Sequence, residues 1–532
     1  MNRDVFHAAT WSLDRRRFIA GAGAATLMAA APAGSTTPAG AAQAQEAEPS
    51  VFDFEDVIDQ ARALAAKSYS SSRQTPGGPF ADLGYDKYRS IRYRPEARIW
   101  RGENRGFELD LMPPGSIYTD RVNVSVIENG APRPLPFDAQ ALHFDPERFD
   151  LPEGRAPEGA GDGLSWTGFR IRFPLNRPEA MDEVAVFQGA SYFRGVARNQ
   201  IFGLSARALA IKTGAPGGEE FPVFTQFWVH RPDEAAAEIL VHALLDSPSV
   251  AGAYEFLVRP GAETTMDIRS VLIPREDIQE IGVAPLTSMY YFGAKERGRV
   301  DDYRDAVHDS SGLQMMTGAG ERLWRPVQNP ATLQMSFFQD ENPKGFGLVQ
   351  RQRDFASYSD AEARYEKRPS AWVAPAQGWG KGGSMLVEIP TQSEFNDNIV
   401  SFWRPAATME AGKTYGFDYR LYWCGLPPDD APTARVVSTR GGRSIHAENS
   451  RLLAVDFELG DRGMTGLEPR VEVSGATMEN VHFYGIPGGS RARVVMRFVP
   501  PTGPGAEFRL QLFDATSSDP VSETWLYRWT PS

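Results

Sequence analysis

Along most of this chain apolar and polar residues trade places at every position, in short runs that stop at Gly, Pro, Asn or Asp. YRSIRYRPEARIW (88–100), RVNVSVIENG (121–130), GFRIRFPL (168–175) and EVAVFQG (183–189) are examples. A period of two belongs to strands with one buried face, and the residues that end each run are turn formers. FPVFTQFWVHRP (221–232), AEILVHALLD (237–246) and AYEFLVRPG (253–261) continue the pattern. One segment departs from it. In VFDFEDVIDQARALAAK (51–67), Val51, Phe54, Val57, Ile58, Ala61 and Leu64 make one apolar stripe at helical spacing, which predicts the clearest helix of the protein.

The texture changes near the Pro/Asp-rich stretch GLPPDDAP (425–432). Beyond it about seven short strands follow in roughly 110 residues, the count of an immunoglobulin-like sandwich. The expected architecture is therefore all-β: a large N-terminal β-sandwich over 45–420 and a small immunoglobulin-like β-sandwich over 425–532. Two long segments lack strand periodicity, 292–326 and 353–383. Structureless loops of that length inside a compact domain usually form lids or binding loops.

Residues 1–44 read as an address. Arg15, Arg16 and Arg17 precede Phe18 and Ile19 and an Ala/Gly-rich run, with Ala42-Gln43-Ala44 as a cleavage site. This is the pattern of a twin-arginine export signal, and the run is too short and too rich in Gly and Ala for a membrane span. No later segment is long and apolar enough to span a membrane, so the mature protein is expected to be soluble in the periplasm.

The 532 residues suit two domains, and 50 Gly with 40 Pro suit many turns. The formal charge is −12, and removing residues 1–44 takes away four arginines and two aspartates, so the body carries −14. With no basic stripe, nucleic-acid binding is excluded. Cys424 is the single cysteine, so no intramolecular disulfide forms.

Candidate chemistry narrows by elimination. No pair of histidines lies at metal-ligand spacing, so neither metal nor cofactor is expected, although a scattered carboxylate site for calcium stays open. GxSxG, P-loop and dinucleotide motifs are absent outside the export signal. Carboxylates remain. Asp309 sits in VHDSSGL, and Asp397 is bracketed by Asn396 and Asn398 at the mouth of the apolar run IVSFW. Aromatic and basic residues are dense in the same segments: Tyr303, Tyr365, Arg368, Trp379 and Trp403 among them. Two carboxyls with aromatic platforms are what glycosidic bond cleavage requires. By pattern alone, however, a structural account is the better one: Asp309 caps a turn and Asp397 closes an Asx turn.

Long ordered blocks then carry a resemblance. YDKYRSIRYRPEARIW (85–100), FQGASYFRGVARNQIFGLSARALAI (187–211), LTSMYYFG with DDYRDAVHDSSGL (286–313), GFGLVQRQRDFASYSDAEARYEKRPSAWVAP (345–375) and GWGKGGSMLVEIPTQSEFNDNIVSFWRP (378–405) cover nearly all of the mature chain. The chain resembles the periplasmic glucan biosynthesis proteins of the G/D type, which act in making osmoregulated periplasmic glucans. The twin-arginine signal makes it more similar to the D-type. The resemblance implies a mutarotase-like sandwich with a cleft, followed by the immunoglobulin-like domain. It also implies an anomer-inverting glycoside hydrolase acting on β-1,2-glucan, or a related transglycosylase. Asp397 matches the family's general acid, and Asp309 its general base, acting through a relay of water and substrate hydroxyl. Glu394, Tyr365 and Arg368 match positions around the cleft, and Trp379 and Tyr303 are further candidates for sugar binding. The implied partner is a β-glucan polysaccharide, with a homodimer left open. Ser311 stands where many relatives have Asp. A non-catalytic glucan-binding or scaffold protein is the alternative, and an epimerase follows only from analogy of architecture. An acid at Asp397 requires burial or a neighbouring negative charge, for which Glu394 is the local candidate. An inverting pair is expected about 6.5–9.5 Å apart, or further if a relay intervenes.

Overall fold

The computed structural model describes residues 51–297, 300–428, 434–445, 447–503 and 505–531. The export signal expected over 1–44 and part of the 425–432 seam lie outside the described residues.

The helix forms as expected, at Phe54–Ala65, and buries Phe54, Val57, Ile58 and Ala61. It starts later than the apolar stripe. The Asp53 carboxylate accepts from the Glu55 N–H at 2.9 Å, and that of Asp56 accepts from the Asp53 N–H at 2.9 Å. A cap of this kind is worth about 1 kcal/mol. Val51 is left outside the helix and exposed, because the chain before the cap is extended and Phe52 donates to Gly130 O at 2.9 Å.

All the rest is β. One large sheet runs, in neighbour order, through Glu108–Met112, Gly168–Phe173, Asp182–Gln188, Tyr192–Gly195, Ser205–Arg207, Ile281–Ser288, Ile399–Pro405, Lys381–Glu388 and Gln334–Glu341, with Leu209–Ile211 also pairing Ile281–Ser288. A second sheet of fourteen strands contains Val223–His230, Ile239–Asp246, Val250–Arg259, Thr264–Pro274 and Tyr415–Cys424. An aromatic-rich core lies between them, with Phe169, Phe187, Phe193, Phe227 and Phe256 in mutual ring contact. Alternation marks the strands that bury one face, such as Thr264–Pro274 and Tyr415–Cys424, whereas Ile281–Ser288 is buried along its whole length.

Among the described residues the C-terminal stretch holds seven strands. Four form their own sheet: Arg435–Arg443, Arg451–Glu458, Arg491–Val499 and Thr477–Gly485. The other three, Leu467–Ser474, Ala506–Asp514 and Thr524–Trp529, continue the fourteen-stranded sheet, because Thr524–Trp529 pairs in parallel with Arg322–Pro326 at Leu323 and Trp324. A separate core fills this sandwich, and Trp324 and Val349 reach into it from the N-terminal strands.

The two segments expected to be irregular are only partly so. Residues 292–326 contain strands Val307–His308, Gly312–Met316 and Arg322–Pro326, and 353–383 contains Ser370–Pro375 and the start of Lys381–Glu388. Their pattern is hidden because polar groups sit inside the sheets. Gln314 and Arg325 are buried in mid-strand and held by ion pairs and hydrogen bonds.

Candidate active site

Asp309 and Asp397 hang from the same three residues, Ser288–Tyr290, at the end of strand Ile281–Ser288. The Asp309 N–H donates to Met289 O at 2.8 Å, and the Asn398 N–H donates to Ser288 O at 3.0 Å. The Asn398 side chain completes the join. Its amide donates to Tyr290 O and to Ile389 O, each at 3.0 Å, while its Oδ1 accepts from Tyr290 N at 2.8 Å. The side-chain amide behaves as an extra peptide group between two strand ends, so the NDN turn is held at its C-terminal side. Asn329 holds the other side, donating to Thr391 O at 2.8 Å and accepting from Thr391 N at 2.9 Å. Turn and site are therefore one object: Asn398 forms the backbone joint, and Asp397 is the residue it presents.

The two carboxylates meet opposite environments. Asp309 is buried, and Arg368 Nη1 donates to its Oδ1. Burial raises its affinity for a proton, the Arg368 charge opposes this, and Asp397 adds to the raising; the net effect is upward. Asp397 is exposed, and among the described residues its carboxylate makes no hydrogen bond or ion pair. The burial expected for an acid at this position is not supplied by the protein alone. Glu394 is engaged with other groups. Glu394 Oε2 accepts from Arg304 at 2.7 Å and from the Tyr365 hydroxyl at 3.1 Å.

Arg304 ties three loops together. It bonds Asp302 with two nitrogens, at 3.0 and 2.8 Å, Asp360 at 3.0 Å and Glu394 at 2.7 Å. Three carboxylates converge here on a guanidinium, a charge-assisted arrangement that fills the place a cation would take. Among the described residues no three His, Cys, Asp or Glu side chains are grouped to hold a metal ion. Tyr365 is buried beneath the Arg368 guanidinium, 4.3 Å from its ring centre. Gly203 makes room for that arginine: a Cβ there would sit 2.8 Å from Arg368 Cβ. Tyr303 is exposed beside Arg304, and Phe395 next to Asn396 is 88% exposed.

Of the residues expected to bind sugar, the structure brings Glu394, Tyr365 and Arg368 into one bonded network with Asp309, and sets Tyr303 at its rim. Trp379 is not part of it. It is buried in the sandwich core, in edge contact with Phe417 and Tyr419. His308, although adjacent to Asp309 in sequence, points into the core, stacked on Tyr290 at 5.0 Å, and burial pushes it down to about 3. Ser311 is occupied with the backbone. Its hydroxyl donates to Val349 O at 3.1 Å and accepts from Arg351 N at 3.1 Å.

Sequence reasoning passed over Arg304, Tyr192 and Arg194, and it took Asp302 and Asp360, along with most loop carboxylates, for solvated surface charges. One signal was present, an arginine among three aspartates in DDYRD. Tyr192 lies close enough to Asp397 to feel its charge, and Arg194 acts likewise on Asp309. These two come from strand Tyr192–Gly195, whose neighbour Ser205–Arg207 pairs with Ile281–Ser288.

The family described as "Periplasmic glucan biosynthesis protein, MdoG" matches residues 52–529. The chain belongs to the MdoG family. "Glucans biosynthesis protein G" of Vibrio cholerae is 44% identical over 483 residues, covering 90% of this chain and 87% of that relative. The protein of the same name from Shewanella sp. strain MR-4 is 41% identical over 509 residues, covering 95% and 92%. This MdoG-family chain is thus a periplasmic glucan biosynthesis protein. No helix among its described residues is long and apolar enough to cross a membrane. In this MdoG member both motifs, VHDSSGL and FNDNIV, converge on Ser288–Tyr290 although their aspartates lie 88 positions apart.

Proposed function

We propose that this protein cleaves or rearranges the backbone of β-1,2-glucan with inversion at the anomeric carbon. Asp397 acts as general acid and Asp309 as general base through a relay. The observation that supports the reading is the anchoring of both loops, through the Asp309 N–H and through Asn398, on Ser288–Tyr290, which brings an exposed carboxylate and a buried, arginine-held one to the same strand end. The exposed acid suits a polymer substrate. Laying a glucan chain over Asp397 strips its water and raises its proton affinity only when the bond to be broken is in place. Buried behind Arg368, Asp309 is reached through a water or a sugar hydroxyl, in line with inverting chemistry. Phe395 and Tyr303 offer exposed rings for sugar stacking.

The test is direct. Mature protein incubated with linear β-1,2-glucan is expected to yield shorter or cyclised products by chromatography, with the inverted anomer appearing first by NMR. Unchanged polymer that nonetheless binds would replace this reading with that of a glucan-binding scaffold.

A second prediction concerns Arg368. Asp309 must be ionised to accept a proton, and the Arg368 charge is what draws its pKa back down. Arg368→Met is therefore expected to move the acid limb of kcat/KM to higher pH, measured as a full pH profile. A limb that stays in place would mean that another group sets it.

A further inference from the structure

We propose that the C-terminal sandwich forms the rear wall of the site and positions both carboxylates, through Glu523 and Tyr527. Two independent contact paths lead from strand Thr524–Trp529 and the residue before it to the two loops. In the first, Glu523 is buried and bonds the Arg351 guanidinium with both carboxylate oxygens, the longer contact being 2.8 Å. Arg351 lies over Trp324, 3.4 Å from the ring centre, and its backbone N–H donates to the Ser311 hydroxyl, two residues after Asp309. In the second, the Tyr527 ring faces Lys295 Nζ at 5.4 Å and the Arg325 guanidinium at 5.9 Å. Lys295 is also 5.6 Å from the ring of Tyr290, whose backbone N–H and C=O hold Asn398 and so fix Asp397.

Neither path consists of the loose polar contacts usual between domains that merely share a chain. Both are buried, the first a charge-assisted ion pair and the second a cation–π sandwich, and each ends one or two residues from a candidate catalytic carboxylate. The parallel pairing of Leu323 and Trp324 with Thr524 and Trp525 removes rigid-body slack between the sandwiches. A displacement on the order of 1 Å at a reacting group costs about a hundredfold in rate, so a wall that fixes both loops is a functional part.

The consequence for turnover rests on the catalytic reading above, whereas the positioning itself does not. The experiment compares full-length mature Glu523→Gln and Tyr527→Leu with Val494→Ala, which opens the C-terminal core at a buried residue outside both paths. Hydrogen exchange by mass spectrometry is followed on peptides covering 309–316 and 389–400, alongside kcat and KM on β-1,2-glucan. Glu523→Gln is expected to speed exchange at 309–316 and Tyr527→Leu at 389–400. Each should lower kcat by roughly 10- to 100-fold with KM within about twofold. Val494→Ala, at an equal loss of melting temperature, should do neither. Equal loosening in Val494→Ala, or unchanged exchange in the two path variants, overturns the proposal. If the wild type turns over no glucan, the catalytic reading falls and the exchange comparison alone decides the positioning.

Discussion

Asp397→Asn is expected to lower kcat by about 10²–10⁴-fold, the contribution of a positioned general acid, while leaving glucan binding and the melting temperature unchanged. The structure makes this substitution unusually clean. The Asp397 carboxylate is exposed and engages no ion pair or hydrogen bond among the described residues, so exchanging one oxygen for an amide removes nothing that holds the fold. Surface changes of that kind cost within about 0.5 kcal/mol. The neighbouring Asn398→Ala makes the contrast: it removes three bonds to the backbone and should disorder the turn as well as abolish turnover. Asp309→Asn should also stop turnover, but with a stability change, since it leaves the largely buried Arg368 without its carboxylate. Steady-state kinetics with calorimetric melting of the three variants separates these outcomes. Full turnover by Asp397→Asn would remove Asp397 from the acid role.

The second large effect is on stability. Arg325 and Glu388 form an ion pair at 3.1 Å, with side chains 2% and 0% exposed. The other Glu388 oxygen accepts from Gln328 N at 2.8 Å. Removing one partner strands a charge in a medium that cannot solvate it, so Arg325→Ala is expected to cost about 3–5 kcal/mol. Removing both charges while keeping the acceptor, as in Arg325→Met with Glu388→Gln, should return most of that loss, because the desolvation penalty disappears along with the attraction. Urea unfolding followed by tryptophan fluorescence and far-UV circular dichroism checks both, coincident transitions licensing a single free energy. If the double variant is no more stable than Arg325→Ala, lost packing rather than the uncompensated charge sets the cost.

Much of the architecture is legible because it rests on local rules. Strands that bury one face announce themselves by alternation, and the helix by its stripe. The exceptions share one cause. Gly312–Met316 and Arg322–Pro326 read as loop because Gln314 and Arg325 interrupt the apolar pattern, and their partners, Arg351 and Glu388, are distant in sequence. Trp379 reads as a sugar platform because aromatic rings fill cores and stack on sugars alike. Only its neighbours, Phe417 and Tyr419, decide for the core.

By itself, then, the sequence determined the all-β class, the existence and apolar face of the N-terminal helix, about seven C-terminal strands and, through long matching blocks, the family. What only tertiary structure decided was which groups share a field. That Asp309 is buried against Arg368 while Asp397 stands in water, that Glu394 serves Arg304, and that the C-terminal strand backs the site all depend on residues tens to hundreds of positions apart. Burial and charge act through space over a few ångströms, and only the folded backbone sets those distances.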